Sequence, residues 1–312
     1  MLKVGVIGAG SMGKNHIRIY SEMPGVELVG ISDIDAELVE ELAKQHNTRP
    51  FTDYKELLAE GLDAVSIVVP TKMHKDVAID ALRAGANVLV EKPIADSIEN
   101  AETILNTAKE VDRCVMVGHI ERFNPAIMRL KEIIDSGLLG KIVSISTTRV
   151  GPYNPRIRDV GVILDIGVHD IDVISFLYGR HVNQVYAVAG ADIHSMEDHA
   201  TIHMRFDHEF SGLVEVNWLT PHKVRKLTAV GVKGVAYLDY IDQTVELHDN
   251  SWVRKAKIEQ KEPLRNELEH FIDCIDNKRQ PEPAGEDGIH ALNVSLAAIE
   301  SYKNEKLIEI KE

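Results

Sequence analysis

Cysteine is scarce. Only Cys114 and Cys274 occur in 312 residues, too few for a disulfide framework, and a reducing interior suits such a chain. No stretch approaches the roughly 18 consecutive apolar residues that a bilayer-crossing helix needs, so no membrane partner is expected. The opening "MLKVGVIGAG" is broken early by glycine and followed by no small-residue cleavage site. An export leader is therefore not expected, and a cytoplasmic protein is. Basic charge is in deficit: 35 lysines and arginines stand against 49 acidic residues, for a formal net charge of −14. With the acidic groups dispersed, nucleic acid is disfavoured as a partner, although a few local basic groups still suit a small anionic ligand. Internal repeats, low-complexity tracts and flexible linkers are missing as well.

What is present is a soluble, globular balance, 44% apolar and 27% charged, in a chain long enough for two domains. Short apolar runs rich in valine and isoleucine occur at Val4–Ile7, Glu27–Ile31, Ala64–Val69, Asn87–Val90 and Val115–Val117. They are apolar throughout rather than alternating, as strands buried on both faces require. Helical segments lie between or after them, at Lys14–Met23, Ala36–His46, Tyr54–Ala59, Lys75–Ala84 and Ser97–Val111. Ser97 and Asn100 suit a helix start and Gly85 a helix stop. Strands alternating with helices of this length predict βαβ units and a parallel sheet over residues 1–120.

The loop after the first strand, "GAGSMG", places Gly8, Gly10 and Gly13 ahead of a helix. A G-x-G-x-x-G alone is weak, but in this strand–loop–helix context each glycine has a task. Gly8 allows a sharp turn, Gly10 lets a pyrophosphate approach the backbone, and Gly13 lets helix and strand pack closely. The helix start supplies N–H donors and the positive end of a dipole. The second strand ends in "GISDID", with Asp33 lying 23 residues beyond Gly10. A carboxylate there bonds ribose hydroxyls and repels a 2′-phosphate, and Ile34 and Asp35 offer no compensating charge. NAD is expected over NADP.

From about residue 141 the period changes. "KIVSISTTRV", "VNQVYAVAG", "HATIHMRF", "SGLVEVNWL", "RKLTAVGV" and "VAYLDYIDQTVELHD" place apolar residues mainly at every second position. Such runs are one-sided strands, interrupted by turns at Phe206–Glu209, Gly231–Gly234 and His248–Ser251. One helix is expected at Val168–Leu177. Two more close the chain, the first with a stripe of Leu264, Leu268, Phe271, Ile272 and Ile275. The expectation is a second, α+β domain over residues 121–312, built on an open, mostly antiparallel sheet. Tyr186, Trp218, Tyr237 and Tyr240 are placed as half-buried residues or as part of a subunit contact. An exposed sheet face predicts a homodimer or homotetramer.

Two further motifs carry chemistry. "EKP" ends the strand Asn87–Val90, so Lys92 emerges at the strand edge where open α/β sheets bind ligands, and Pro93 restricts its backbone. A lysine there can stabilise a developing alkoxide. "DIGVHDID" sets Asp165, His169 and Asp172 at i, i+4 and i+7, on one face of a helical turn. An imidazole oriented by a carboxylate is a natural general base.

"GAGSMG", "EKP" and "DIGVH", in this order and at these separations, resemble the glucose–fructose/inositol dehydrogenase-like (Gfo/Idh/MocA) oxidoreductases. The resemblance covers essentially the whole chain. It implies Lys92 as the family's lysine, His169 as general base, Asp165 as its assisting carboxylate, and hydride transfer from a secondary sugar carbon to NAD. It further implies cofactor contacts from Gly8, Gly10, Ser11, Met12, Gly13, Asp33, Pro70, His74, Glu91 and Lys92. "VGHIERFNPA" looks like the branch that oxidises nucleotide-linked amino sugars such as UDP-N-acetylglucosamine, which makes Arg122 and Asn124 candidates for the sugar or phosphate. "GPYNPRIRD" offers Tyr153, Asn154, Arg156 and Arg158, a composition suited to a diphosphate and a uracil. The segment before "DIGVH" reads "RDVGVIL" and lacks the glycine pair common in the inositol branch, which disfavours free inositol. The expected activity is oxidation of a secondary hydroxyl, the 3-hydroxyl, of a UDP-N-acetylated sugar. A dehydrogenase of a free sugar or polyol is the alternative, and a non-catalytic dinucleotide sensor the second. No metal site is expected: His199 and His203 stand four apart in a strand-like segment with His194 nearby, and no third ligand is evident.

Overall fold

The computed structural model describes residues 1–155, 160–207 and 209–310. The chain divides into two units, Met1–Ile120 with Glu262–Ile289, and Glu121–Lys261 with the residues from His290 onward. The first 120 residues alternate as their periodicity predicts: β1 (Leu2–Ile7), α1 (Ser11–Glu22), β2 (Val26–Ser32), α2 (Ala36–Gln45), β3 (Arg49–Phe51), α3 (Tyr54–Leu58), β4 (Ala64–Ile67), α4 (His74–Arg83), β5 (Asn87–Glu91), α5 (Ile98–Glu110) and β6 (Val115–Gly118). The six strands form one parallel sheet in the order β3-β2-β1-β4-β5-β6. This is a Rossmann arrangement, and its order reverses between β1 and β4, where such sheets take their ligand. Val65, Ile67, Val88, Leu89 and Val90 are fully buried, which explains runs without alternation. The Ser97 hydroxyl accepts from the Asn100 N–H at 3.2 Å to start α5, and Gly85, at φ +92, follows the end of α4. The short edge strand β3, with a proline at its centre, carried no apolar run and was not foreseen.

The elements that follow are α6 (Pro125–Asp135), β7 (Ile142–Pro152), α7 (Val168–Tyr178), β8 (Gln184–Gly190), β9 (His199–Phe206), β10 (Phe210–Asn217), β11 (Leu219–Gly231), β12 (Gly234–Asp239), β13 (Thr244–His248), β14 (Val253–Lys255), α8 (Pro263–Asp276), α9 (Gly285–Asn304) and β15 (Ile308–Glu309). The sequence placed all of 121–312 in one domain, whereas 262–289 returns to the first unit. There α8 packs beside α1, with ion pairs Arg18–Glu262 and Arg265–Glu22 along the seam. Leu264, Leu268, Phe271 and Cys274 are its buried stripe, and Ala284 bridges Met116 on the edge strand β6. An amphipathic pattern fixes which face of a helix is buried but not the sheet against which it is buried.

In the second unit, nine strands form a sheet in the order β14-β13-β12-β11-β7-β10-β9-β8-β15. Every neighbouring pair is antiparallel except β10–β7. "VAYLDYIDQTVELHD", read from sequence as one run, is the hairpin β12–β13. The Asp239 Oδ1 accepts the N–H groups of Ile241 and Asp242 and turns the chain there. One sheet face buries Ile145, Ile202, Val214, Ala229 and Leu238 with Ile127, Ile171 and Val294 from the helices. The opposite face leaves Tyr186, Val188 and Tyr237 exposed, while Trp218 and Tyr240 are buried. No helix among the described residues is long and apolar enough to cross a membrane.

Buried charges lock α7 in place. The Arg149 guanidinium donates to both Asp170 oxygens, at 2.7 and 3.2 Å, and to Glu121 at 2.6 Å. Burial works against its charge, but Asp170 and Glu121 outweigh burial and hold it protonated well above the ordinary range. The Arg122 guanidinium meets Asp172 with two bonds, 2.8 and 2.6 Å. Asn124 caps α6 by accepting from the Ala126 N–H at 3.0 Å and donates to the Tyr240 carbonyl at 3.1 Å. Arg122 and Asn124, expected to meet a sugar or phosphate, are thus turned inward into the frame, and Asp172 is withdrawn from the face it was expected to share with His169. Asp172→Ala, which strands a buried guanidinium, should lower unfolding free energy by about 3–5 kcal/mol. The double substitution Arg122→Met/Asp172→Leu should recover most of that loss, measured by urea denaturation of all variants.

Candidate functional site

In the first unit the glycine loop has the three properties its spacing predicts. Gly8 sits at φ +100, and a Cβ there would lie 2.4 Å from the Val68 carbonyl oxygen. A Cβ on Gly13 would lie 2.0 Å from the Gly8 oxygen, so helix and loop touch backbone to backbone. A Cβ on Gly10 would meet nothing within 4 Å. Packing therefore does not require glycine at position 10, and the open space beside it is where a phosphate could approach. Gly10 and Ser11 are exposed, and Met12 is half-buried at the start of α1, where no side chain caps the helix and no acidic residue occupies the first turn.

Asp33 stands at the end of β2 with its Oδ2 accepting from the Ala9 N–H at 2.6 Å and its Oδ1 from the Asp35 N–H at 3.1 Å. A carboxylate has about four lone-pair sites, so these bonds leave capacity for two hydroxyl donors such as those of a ribose. Ile34, next in sequence, is 91% exposed, an apolar surface beside the carboxylate that sequence reading noted only for its lack of charge. The groups fit an adenosine dinucleotide: a diphosphate at Gly10 and the helix start, and a ribose at Asp33.

The strand-end lysine is braced on both sides. Lys92 is half-buried, and its own N–H donates to Glu91 Oε2 at 3.2 Å. Glu91 is turned inward to His16, Nε2 to Oε1 3.2 Å. Burial pushes the Glu91 carboxyl up, but His16 and Lys92 outweigh it and leave it below its usual range. His74 is buried, its Nδ1 2.9 Å from the Pro93 carbonyl and its Nε2 2.9 Å from the Val69 carbonyl. Burial lowers its pKa while both carbonyls oppose the shift. His74 therefore sits between the turn after Lys92 and the loop leading into exposed Pro70, donating as a neutral ring to one of the two carbonyls, and Glu91 accepts the Lys92 N–H from the other side. Both were expected to contact cofactor, and their side chains instead brace the loops. His16, which the sequence did not single out, could not be paired in advance with a residue 75 positions away.

In the second unit, Asp165 lies in a π-helical turn, Ile163–Gly167, and His169 in the first turn of α7. Both are half-buried, whereas Asp170 and Asp172 are sealed inside. The Trp218 indole Nε1 donates to Asp165 Oδ2 at 3.3 Å. Tyr153 packs on His194 and Trp218, with ring centroids 3.9 and 5.2 Å apart, while Asn154 is exposed. Arg156 and Arg158 lie outside the described residues. Asp192, Asp198 and His199 bring possible ligand atoms within 4.8 Å of one another. Asp198 is already engaged, however, accepting the N–H groups of residues 192–194 and bonding His199 Nδ1 at 2.9 Å.

The contrast among the glycines is measurable. Gly10→Ala should keep the melting temperature within about 2 °C, since surface changes are typically within ±0.5 kcal/mol, yet weaken NAD binding in titration calorimetry. Gly13→Ala should lower the melting temperature itself, because its Cβ collides with backbone.

Family comparison agrees with this geometry. Residues 2–119 match the GFO/IDH/MocA oxidoreductase family model with its NAD-binding Rossmann fold, and residues 127–237 match the GFO/IDH/MocA C-terminal domain. The UDP-N-acetylglucosamine 3-dehydrogenase of Acidithiobacillus ferrooxidans is 30% identical, with 96% of each chain covered. A crystal form of that enzyme superposes with a TM-score of 0.91 at 29% identity, over 97% of this chain and 98% of the other. The NAD-dependent scyllo-inositol 2-dehydrogenase of Bacillus subtilis is 26% identical over 97% of this chain and 94% of its own. With the glycine cradle and Asp33 in place and both halves matched, this chain belongs to the Gfo/Idh/MocA family of NAD-binding oxidoreductases.

Proposed function

We propose that the protein is an NAD-dependent dehydrogenase that oxidises a secondary hydroxyl, the 3-hydroxyl, of a UDP-N-acetylated sugar such as UDP-N-acetylglucosamine. The observation that carries the reading is the π-turn and α7, where Asp165 and His169 stay accessible while the next two carboxylates are sealed in ion pairs. His169, as a half-buried imidazole, takes the hydroxyl proton, with Asp165 as its assisting carboxylate. Lys92 steadies the negative charge that develops on the substrate oxygen, and Glu91, His16 and His74 brace the backbone from which its side chain projects. The Gly8–Gly13 loop and Asp33 would hold NAD, which supplies the hydride acceptor when bound. Tyr153 and Asn154, with Arg156 and Arg158, are proposed for the uridine diphosphate.

The near full-length similarity to the Acidithiobacillus ferrooxidans enzyme supports a nucleotide sugar. The similarity to scyllo-inositol 2-dehydrogenase supports a second reading, a free polyol. We further propose a cytoplasmic homodimer or homotetramer, paired through the sheet face that bears Tyr186, Val188 and Tyr237.

Mixing the protein with NAD and UDP-N-acetylglucosamine should raise the near-ultraviolet absorbance of reduced nicotinamide, while inositol should not. The reverse pattern would transfer the assignment to polyols. His169→Ala should abolish turnover and leave NAD affinity unchanged; loss of both would remove His169 from the role of base. Light scattering should give a mass of two or four chains, and Val188→Asp/Tyr237→Asp should reduce it.

A further inference from the structure

Asp165 stands in a closed ring of hydrogen bonds. The Val162 N–H, just ahead of the π-turn, donates to the Glu197 carbonyl at 2.8 Å. The next carbonyl, that of Asp198, accepts the Trp218 N–H at 2.8 Å. The Trp218 indole then returns to Asp165 Oδ2 at 3.3 Å and closes the circuit. We propose that Trp218 is a positioning residue of this enzyme, fixing the Asp165 carboxylate through its indole N–H, with the Glu197–Asp198 dipeptide as the anchor of both the turn and the indole.

Each link is held independently of the others. A π-turn carries one more residue per turn than an α-helix and commonly marks a functional site, and its own ladder leaves Asp165 in a wider loop than an α-helix would. External support then decides where the carboxylate sits. The anchor is rigid: Asp198 Oδ2 accepts three successive N–H groups, from Asp192, Ile193 and His194, at 3.1, 2.7 and 3.1 Å. Burial pushes the Asp198 carboxyl up, but these donors and His199 outweigh burial and bring it down to about 2. Glu197 lies so close to the entering chain that a Cβ on Gly161 would be 2.1 Å from its carboxyl. The indole is 6% exposed and has the His194 ring edge-on at 5.7 Å and Tyr153 at 5.2 Å, so it cannot swing away without opening the cluster. At 3.3 Å its bond is long for an N–H···O contact and serves orientation more than binding.

Trp218→Phe keeps the buried ring and removes the N–H. On the dehydrogenase reading above, kcat should fall roughly tenfold to a hundredfold, since misplacement by about 1 Å costs that much. KM for NAD should not change. A tryptophan that only packs would lower the melting temperature and leave kcat per folded molecule at the wild-type value, which would overturn the proposal. A second arm needs no turnover. The chain has two tryptophans, so its 15N–1H spectrum holds two indole signals, assignable with Trp252→Phe. The Trp218 signal should move in Asp165→Asn, which replaces the charged acceptor by a neutral amide, while the Trp252 signal stays in place. An unmoved Trp218 signal in Asp165→Asn overturns the proposal whatever the kinetics. If the signal moves while no sugar or polyol is oxidised, the functional assignment falls and the positioning role stands.

Discussion

A carboxylate inside a protein needs donors or a matching cation, and α7 carries two carboxylates that each meet a guanidinium. Asp170 and Asp172 lie on either side of the helix and meet Arg149 and Arg122. Rotating α7 in either direction would break at least one bidentate pair and strand a buried charge, at several kcal/mol. The helix therefore has one permitted rotation, and that rotation brings His169 to the half-buried surface. The polar face of the site rests on the buried pairs Arg149–Asp170 and Arg122–Asp172. Glu121 extends the same frame by sharing Arg149 with Asp170.

The parts of the site that are local in sequence were legible in it. Gly8, Gly10 and Gly13 act within one strand–turn–helix, so their spacing in that context predicted a turn glycine and a packing glycine, which the backbone bears out, and Gly10 has open space beside it. The parallel sheet followed from alternation, and the second, mostly antiparallel sheet from the change of period. Misplaced residues were those whose partner lies far along the chain. Arg122 and Asn124 have the chemistry of phosphate or sugar ligands, but Asp172 and the Tyr240 carbonyl claim them first. A sequence shows that a guanidinium is available; it does not show which carboxylate is nearest after folding.

Trp218 illustrates the same limit from the other side. As an aromatic at the end of an alternating strand it read as half-buried or as part of a subunit contact; it is buried and bonded to a carboxylate 53 residues earlier. His74 and Glu91 were named because the resemblance implies cofactor contacts there; Glu91 ends β5 and His74 opens α4, and the side chains of both brace neighbouring loops. Side chains that brace a loop occur where side chains that bind a ligand occur, because both are needed at the same sheet edge.

The return of residues 262–289 to the first unit has a consequence for synthesis. Sheet edge β6 and the outer side of α1 lack their cover until α8 and the Ala284 bridge have left the ribosome, about 170 residues after Ile120. At roughly 5–20 residues per second that is an interval of about 10–30 s. During this interval a nascent Rossmann sheet presents an open edge and an apolar helix flank to the cell. The nucleotide-binding half is the first to be translated, but it is finished only after most of the second unit has been made.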